Sequence, residues 1–298
     1  MKVLKEWFVQ APWGKIALIS WGNPEGKPIL LVHGRRDSAA TFIPLLELLP
    51  KHFYYVGIDL PGHGKSDPLP IGIAITRFIL IIAIDMVVKD LGWNKFYYIG
   101  HSMGSELGLF YNAIHPKQIT KHVLLDPTPA LRRIVMLNFE QFYWYYDNYY
   151  SNYNKLNIDD RVYSKNRAIQ AVMRARGMTE KHAEVILSRN LKKIGEDSYK
   201  LSWDKRTKNL VPTNLPPEYY FELFSTNSPP TLYIHANQSP NTKTKDIIDK
   251  MIEKFENEVP NFKVLKVDGT HDVHFINPKA FSDVLCAFLN NSDVISKL

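Results

Sequence analysis

Cysteine is almost missing from this chain of 298 residues, where Cys286 stands alone. One thiol excludes an internal disulfide framework and fits a reducing, intracellular setting. Cys286 lies in the apolar run Val284-Leu285-Cys286-Ala287-Phe288-Leu289, so a buried structural thiol is expected. Long unbroken apolar runs are missing as well. The most apolar stretch, 71–88, is interrupted by Arg77 and Asp85. A charge at membrane depth costs about 3 kcal/mol, so this stretch reads as a buried amphipathic helix and no membrane span is expected. The start, Met1-Lys2-Val3-Leu4-Lys5-Glu6-Trp7, lacks the apolar run and cleavage site of a secretory signal. The net charge is +7, yet no dense Lys/Arg stretch interleaved with aromatics is present. Nucleic acid is therefore not an expected partner. The excess reads as a solvated basic surface, with an anionic substrate as the alternative. Internal repeats and low-complexity linkers are also missing.

What is present is an ordinary globular composition, 45% hydrophobic and 22% charged, enough for a sizeable core. Short β-branched and aromatic runs alternate with helical patterns, which implies βαβ units and a mostly parallel sheet. Strands are expected over 3–10, 15–21, 29–33, 54–58, 96–99, 122–125, 232–235 and 263–267. Helices are expected over 40–49, 73–91, 103–114, 243–258 and 278–289. The alternation fails from Pro127 to about Pro230, which is helical in pattern and rich in Tyr and Arg. The expected organisation is an α/β core of residues 1–126 and 231–298, interrupted by a helical lid over 127–230.

The strongest chemical signal is Gly100-His101-Ser102-Met103-Gly104, placed between an expected strand and an expected helix. That context makes G-x-S-x-G a nucleophile elbow, a strained turn that projects the serine hydroxyl from the top of the sheet. Gly100 and Gly104 flank it because side chains there would collide across the turn. A serine hydroxyl needs a base to take its proton. Val267-Asp268-Gly269-Thr270-His271-Asp272-Val273-His274 follows the last expected strand, where such a base belongs. Spacing favours His271, with His274 packing or donating locally. An oxyanion hole is expected from the backbone N–H groups of Arg35, after His33-Gly34, and of Met103.

These residues carry a resemblance. His33-Gly34, Asp59-Leu60-Pro61-Gly62-His63-Gly64-Lys65-Ser66, Gly100 to Gly104 and Gly269-Thr270-His271 follow the order and spacing of α/β hydrolases. With His33-Gly34-Arg35-Arg36-Asp37-Ser38-Ala39, Phe53-Tyr54-Tyr55-Val56 and His271-Asp272-Val273-His274-Phe275, the chain most resembles the animal serine-hydrolase-like (kraken-type) proteins. The resemblance implies an α/β-hydrolase fold, a peroxisomal or cytosolic hydrolase of poorly defined substrate, and Ser102 and His271 as triad members. Two positions depart from it. A large apolar residue often follows His-Gly in these relatives, where Arg35 stands. Most relatives also place the triad acid just after the seventh strand. Here Leu232-Tyr233-Ile234-His235-Ala236 is followed by Asn237-Gln238-Ser239-Pro240-Asn241, without a carboxylate. Asp246 comes later, in the next helix. Some members of the fold use the end of the sixth strand, where Asp126 stands in Leu124-Leu125-Asp126-Pro127. Asp126 is the favoured acid, a structural strand-end role its alternative.

The expected activity is cleavage of a small-molecule carboxylic ester or thioester through an acyl-enzyme, with no metal and no cofactor. Aspartate-nucleophile chemistry, as in haloalkane dehalogenases, is disfavoured by serine at position 102. The alternatives are a carbon–carbon bond hydrolase and a non-catalytic binding protein that kept the pocket. Phe142, Tyr146, Tyr149 and Tyr153 share one face at helical spacing, and Phe142, Tyr146 and Tyr149 are the expected pocket rings. Ser296-Lys297-Leu298 reads as an address for the peroxisomal import receptor, the protein otherwise being cytoplasmic.

Overall fold

A computed structural model describes residues 1–135, 139–156, 158, 161–211, 213, 215–239 and 245–291. Ten strands and twelve helices are found among them. The first part of the chain runs β1 (Val3–Ala11), β2 (Gly14–Gly22), β3 (Pro28–Val32), α1 (Ile43–Leu46), β4 (Tyr54–Ile58), α2 (Arg77–Asp90), β5 (Phe96–His101), α3 (Met103–Ile114) and β6 (Ile119–Leu125). Then come α4 (Thr128–Ile134), α5 (Phe139–Ser151), α6 (Tyr153–Leu156), α7 (Lys165–Arg176), α8 (Glu180–Asn190), β7 (Leu191–Gly195), β8 (Ser198–Leu201) and α9 (Pro217–Ser225). The chain returns to the sheet with β9 (Thr231–Ala236), α10 (Lys245–Glu258), β10 (Phe262–Val267), α11 (Val273–Ile276) and α12 (Ser282–Asn290).

Eight strands form one sheet in the order β1-β2-β4-β3-β5-β6-β9-β10. Only the pairs β1/β2 and β2/β4 are antiparallel; from β4 to β10 every neighbour is parallel. Parallel strands are covered on both faces, so their sequences read as continuous apolar runs. Residues along β5 alternate between the two faces. Phe96 and Tyr98 join the core under α2, α3 and α10, whereas Tyr97 and Ile99 join the core under α1 and α12. A third, smaller core links α7 and α8 to Phe275. It therefore anchors the 127–230 segment beside the loop that carries His271.

The elements differ from the sequence expectation where turn chemistry intervenes. The helix expected over 73–91 begins only at Arg77, capped by Thr76, whose hydroxyl accepts the N–H of Ile79. Gly72 holds a φ of +88°, which keeps the residues before the cap in a turn. The helix expected over 40–49 is a 3-10 turn, Ala39–Phe42, followed by the four residues of α1. The 127–230 segment is not wholly helical, because β7 and β8 pair as an antiparallel hairpin. Nearly all of β7 is exposed, so it lacks the apolar run that marks a buried strand. No helix among the described residues is long and apolar enough to cross a membrane.

Candidate active site

β5 runs directly into α3, and Ser102 sits at the junction with φ +50° and ψ −115°. A non-glycine residue there is strained, and strain of this kind gathers at functional sites. The neighbouring glycines make the turn possible. A Cβ on Gly104 would lie 2.0 Å from the Val32 carbonyl oxygen, and one on Gly100 2.5 Å from the Ser105 nitrogen. The Ser102 N–H donates to the Leu125 oxygen at 2.9 Å, which fixes the turn against the end of β6.

Around the hydroxyl lies an unbroken hydrogen-bonded chain. Ser102 Oγ is 2.9 Å from His271 Nε2, and His271 Nδ1 is 2.6 Å from Asp126 Oδ2. With Nδ1–H donating to the carboxylate, Nε2 is left as the acceptor for the serine O–H. Asp126 is fully buried, with φ +41°. Its N–H donates to the Ile234 carbonyl at 2.9 Å, its Oδ1 accepts the Ala236 N–H at 3.3 Å, and its Oδ2 also accepts the Ser239 hydroxyl. The sheet order explains the placement, since β6 is wedged between β5, which carries Ser102, and β9. Asp246 lies in the first turn of α10.

His274 belongs to a different cluster. Its ring is fully buried and stacks on His101 with centroids 3.8 Å apart, and its Nε2 meets Thr41 Oγ1 at 2.8 Å. Burial pushes it down to about 3, so it stays neutral. His101 Nε2 in turn donates to the His271 carbonyl at 3.0 Å. Burial, then the neighbouring imidazoles, keep His101 far below the usual histidine range.

His33 fixes the loop after β3. Its Nε2 accepts the Leu60 N–H at 3.0 Å, so Nδ1 carries the proton and donates to the Gly34 oxygen at 2.6 Å. The glycine is required by closeness, because a Cβ there would lie 3.1 Å from Ser102 Cβ and 2.8 Å from His101 Nδ1. Arg35 follows at once. Met103 is the first residue of α3, so its N–H has no carbonyl one turn earlier in that helix. Asp59 and His63, from the turn after β4, are both buried and bond to different partners. Asp59 accepts from Ala39, Lys65 and Arg189, whereas His63 Nδ1 meets the Pro61 oxygen.

Arg176 escaped the sequence reading. It ends α7, and its guanidinium reaches both loops of the site. Nε is 2.9 Å from Asp272 Oδ2, and Nη2 is 2.5 Å from Asp272 Oδ1 and 2.9 Å from Asp37 Oδ2. Burial pushes Asp272 up, but its hydrogen bonds to Arg176 and that charge outweigh burial and leave the carboxyl below its usual range. At Asp37 burial prevails, and the carboxyl sits above its usual range. His101, Asp272 and His274 bring three donor atoms within 4.8 Å of one another. Both Asp272 oxygens already hold the Arg176 cation, so these residues fit a metal ion poorly.

Arg176→Gln is expected to lower kcat for an ester substrate about 10-fold or more with little change in KM, and Arg176→Lys to recover part of the loss. The change also leaves two buried carboxylates uncompensated, costing about 3–5 kcal/mol. Kinetics well below the melting temperature separate the two effects. A variant that is only less stable, with wild-type kcat, would make Arg176 purely structural.

The expected pocket rings lie on α5. Phe142 is exposed, and Tyr146 and Tyr149 are half-buried. Phe142 packs on Tyr146 with centroids 4.5 Å apart, and Tyr149 on Tyr153 at 6.2 Å. A cavity of about 450 Å³ lies elsewhere, among Arg77, Phe110, Val211, Leu215, Tyr219 and Leu223, and none of the three rings lines it. Ser296-Lys297-Leu298 lies outside the described residues.

Residues 27–278 match the family model described as the alpha/beta hydrolase fold. The chain belongs to that family. This hydrolase-fold chain is similar to serine hydrolase-like protein 2 of Homo sapiens, 26% identical over 300 residues, covering 96% of this chain and 94% of that protein. It is also similar to the serine hydrolase-like protein of Danio rerio, 28% identical over 300 residues and covering 97% and 89%. Among solved structures, a thioesterase domain from the curacin biosynthetic pathway superposes with a TM-score of 0.77 at 19% identity, covering 94% of this chain and 98% of that one. At that identity the likeness shows the fold.

Proposed function

We propose that this α/β hydrolase is a serine carboxylesterase or thioesterase working through an acyl-enzyme. The observation that carries the reading is the chain from Ser102 Oγ through His271 to the Asp126 carboxylate, at 2.9 and 2.6 Å. In the first step Ser102 Oγ attacks the carbonyl carbon while His271 Nε2 takes its proton. Asp126 holds Nδ1–H and stabilises the imidazolium. The carbonyl oxygen becomes an oxyanion, held by the N–H groups of Arg35 and Met103; losing one such donor costs about 3–4 kcal/mol of barrier. His271 then protonates the leaving alcohol or thiol as the carbon–oxygen or carbon–sulfur bond breaks. Water, deprotonated by the same nitrogen, releases the acid. A carboxylate on His271 weighs against the non-catalytic alternative, whose support was the missing acid after β9.

In this reading residues 127–230 act as the lid, and Phe142, Tyr146 and Tyr149 supply its apolar contact to the acyl group. A panel of p-nitrophenyl esters and acyl thioesters of increasing chain length tests the reaction class. Turnover of neither class by the purified wild-type protein would overturn it. Ser296-Lys297-Leu298 is proposed as the peroxisomal address. Deleting the tripeptide is expected to leave activity intact and move the protein from peroxisomes to cytosol, and a truncated protein that stays in peroxisomes would remove the assignment.

A further inference from the structure

The cavity of about 450 Å³ lies away from the nucleophile, beside the far half of α3. Its walls are the start of α2, the end of α3, the 211–215 strip and α9. Phe110 and Ala113 line it, about two and three turns beyond Ser102 and so about 12 and 16 Å along the helix axis. None of Ser102, His271, Asp126, Arg35 and Met103 lines it. The volume is that of a small-molecule pocket, about 300–1,000 Å³, with room for about 15 non-hydrogen atoms. The chain itself fixes the walls. The Val211 N–H donates to the Ile75 carbonyl at 3.3 Å, and the Val211 carbonyl accepts from Arg77 Nη1 at 2.8 Å. Phe110 meets Phe78 with centroids 6.2 Å apart and Phe224 at 4.9 Å. The Tyr220 hydroxyl donates to the Ile134 carbonyl at 3.0 Å, which ties α9 to α4.

One charged side chain stands among these mostly apolar walls. Arg77 is buried, and its Nε donates to Glu106 Oε1, which is buried too. Nη1 is spent on Val211, and Nη2 makes no hydrogen bond among the described residues. Both N–H groups of that nitrogen are left for a guest. The two threonine hydroxyls of the walls are already engaged, Thr76 with the Ile79 N–H and Thr213 with the Tyr220 hydroxyl. Because Glu106 already touches the guanidinium, a second carboxylate would be desolvated beside it and repelled by it. A neutral carbonyl meets the spare donors at no such cost, in a hydrogen bond strengthened by the charge of the donor.

We infer that this cavity is a second ligand site, taking a neutral molecule with an apolar body and one carbonyl-type acceptor held by Arg77 Nη2. Ketones, esters and amides share that chemistry. The body lies against Phe78, Phe110, Val211 and Leu223, and the site works apart from the chemistry at Ser102.

Three probes of one shape test it by calorimetric titration into the full chain: hexanophenone, hexylbenzene and 6-phenylhexanoate. Hexanophenone is expected to bind at least about 10-fold more tightly than either of the others, the size of one hydrogen bond to a charged group. Ala113 and Leu223 are half-buried on facing elements of the cavity, so Ala113→Trp and Leu223→Trp each fill it without overpacking the core. Either filled variant is expected to lose hexanophenone at least about 10-fold with its melting temperature kept. Arg77→Leu alone would strand a buried carboxylate, so it is combined with Glu106→Leu, which removes both charges together. There the preference for ketone over hydrocarbon is expected to fall to within about 3-fold. Ketone binding that survives both tryptophans would overturn the inference, as would equal binding of all three probes or tighter binding of the carboxylate. A dimer that Ala113→Trp dissociates, with no probe bound, would give this face to a second copy of the chain instead. Binding is read without turnover, so its outcome is separate from that of the hydrolase reading.

Discussion

Ser102→Ala is expected to abolish ester turnover, lowering kcat by at least about 1,000-fold, and to leave the melting temperature nearly unchanged. The size follows from serine nucleophiles in comparable enzymes, whose removal costs several orders of magnitude. Stability is spared because the hydroxyl's hydrogen bond goes to His271, whose side chain is 26% exposed and can bond water instead. The strained φ of +50° belongs to the backbone and is the same for alanine as for serine. Steady-state kinetics beside a thermal melt check both parts. A mutant that keeps more than about a tenth of kcat would remove Ser102 as nucleophile.

Asp126→Asn is the second large effect, expected at about 1,000- to 10,000-fold in kcat. The carboxylate accepts from three donors, the Ala236 N–H and Ser239 hydroxyl besides His271 Nδ1–H. An amide offers one acceptor oxygen. Turned with its NH2 towards His271, it selects the tautomer with Nε2 protonated, and the base is lost. Turned the other way, it sets NH2 against the Ala236 N–H and loses that hydrogen bond. The stability cost of one such mismatch is about 1–3 kcal/mol, so the variant should still fold. Near-normal kcat with a large loss of stability would return Asp126 to a strand-end role and send the search for the acid elsewhere.

The parts of the site that were legible in the sequence are those set by local geometry. The serine turn announces itself because its φ and the close approach of β3 demand glycines at 100 and 104. The loop of His271 follows from its place after the last strand. Asp126 was ambiguous because its partner is chosen by strand order: β6 touches both β5 and β9, which no spacing in the chain reveals. Arg176 was invisible for a related reason. Its partners lie 96 and 139 residues away, and an arginine ending an amphipathic helix looks like any solvated C-terminal charge. The β7–β8 hairpin was missed because its strands bury no apolar run.

Active-site labelling tests most directly whether the chain of hydrogen bonds makes an activated serine. Folded protein treated with a fluorophosphonate is expected to gain one adduct, mapped by peptide mass to Ser102. Labelling should be lost in His271→Ala and in the unfolded chain, where no base lies beside the hydroxyl. A folded wild-type protein that stays unlabelled, or is labelled at another serine, would contradict the assignment of Ser102, His271 and Asp126 as one catalytic unit.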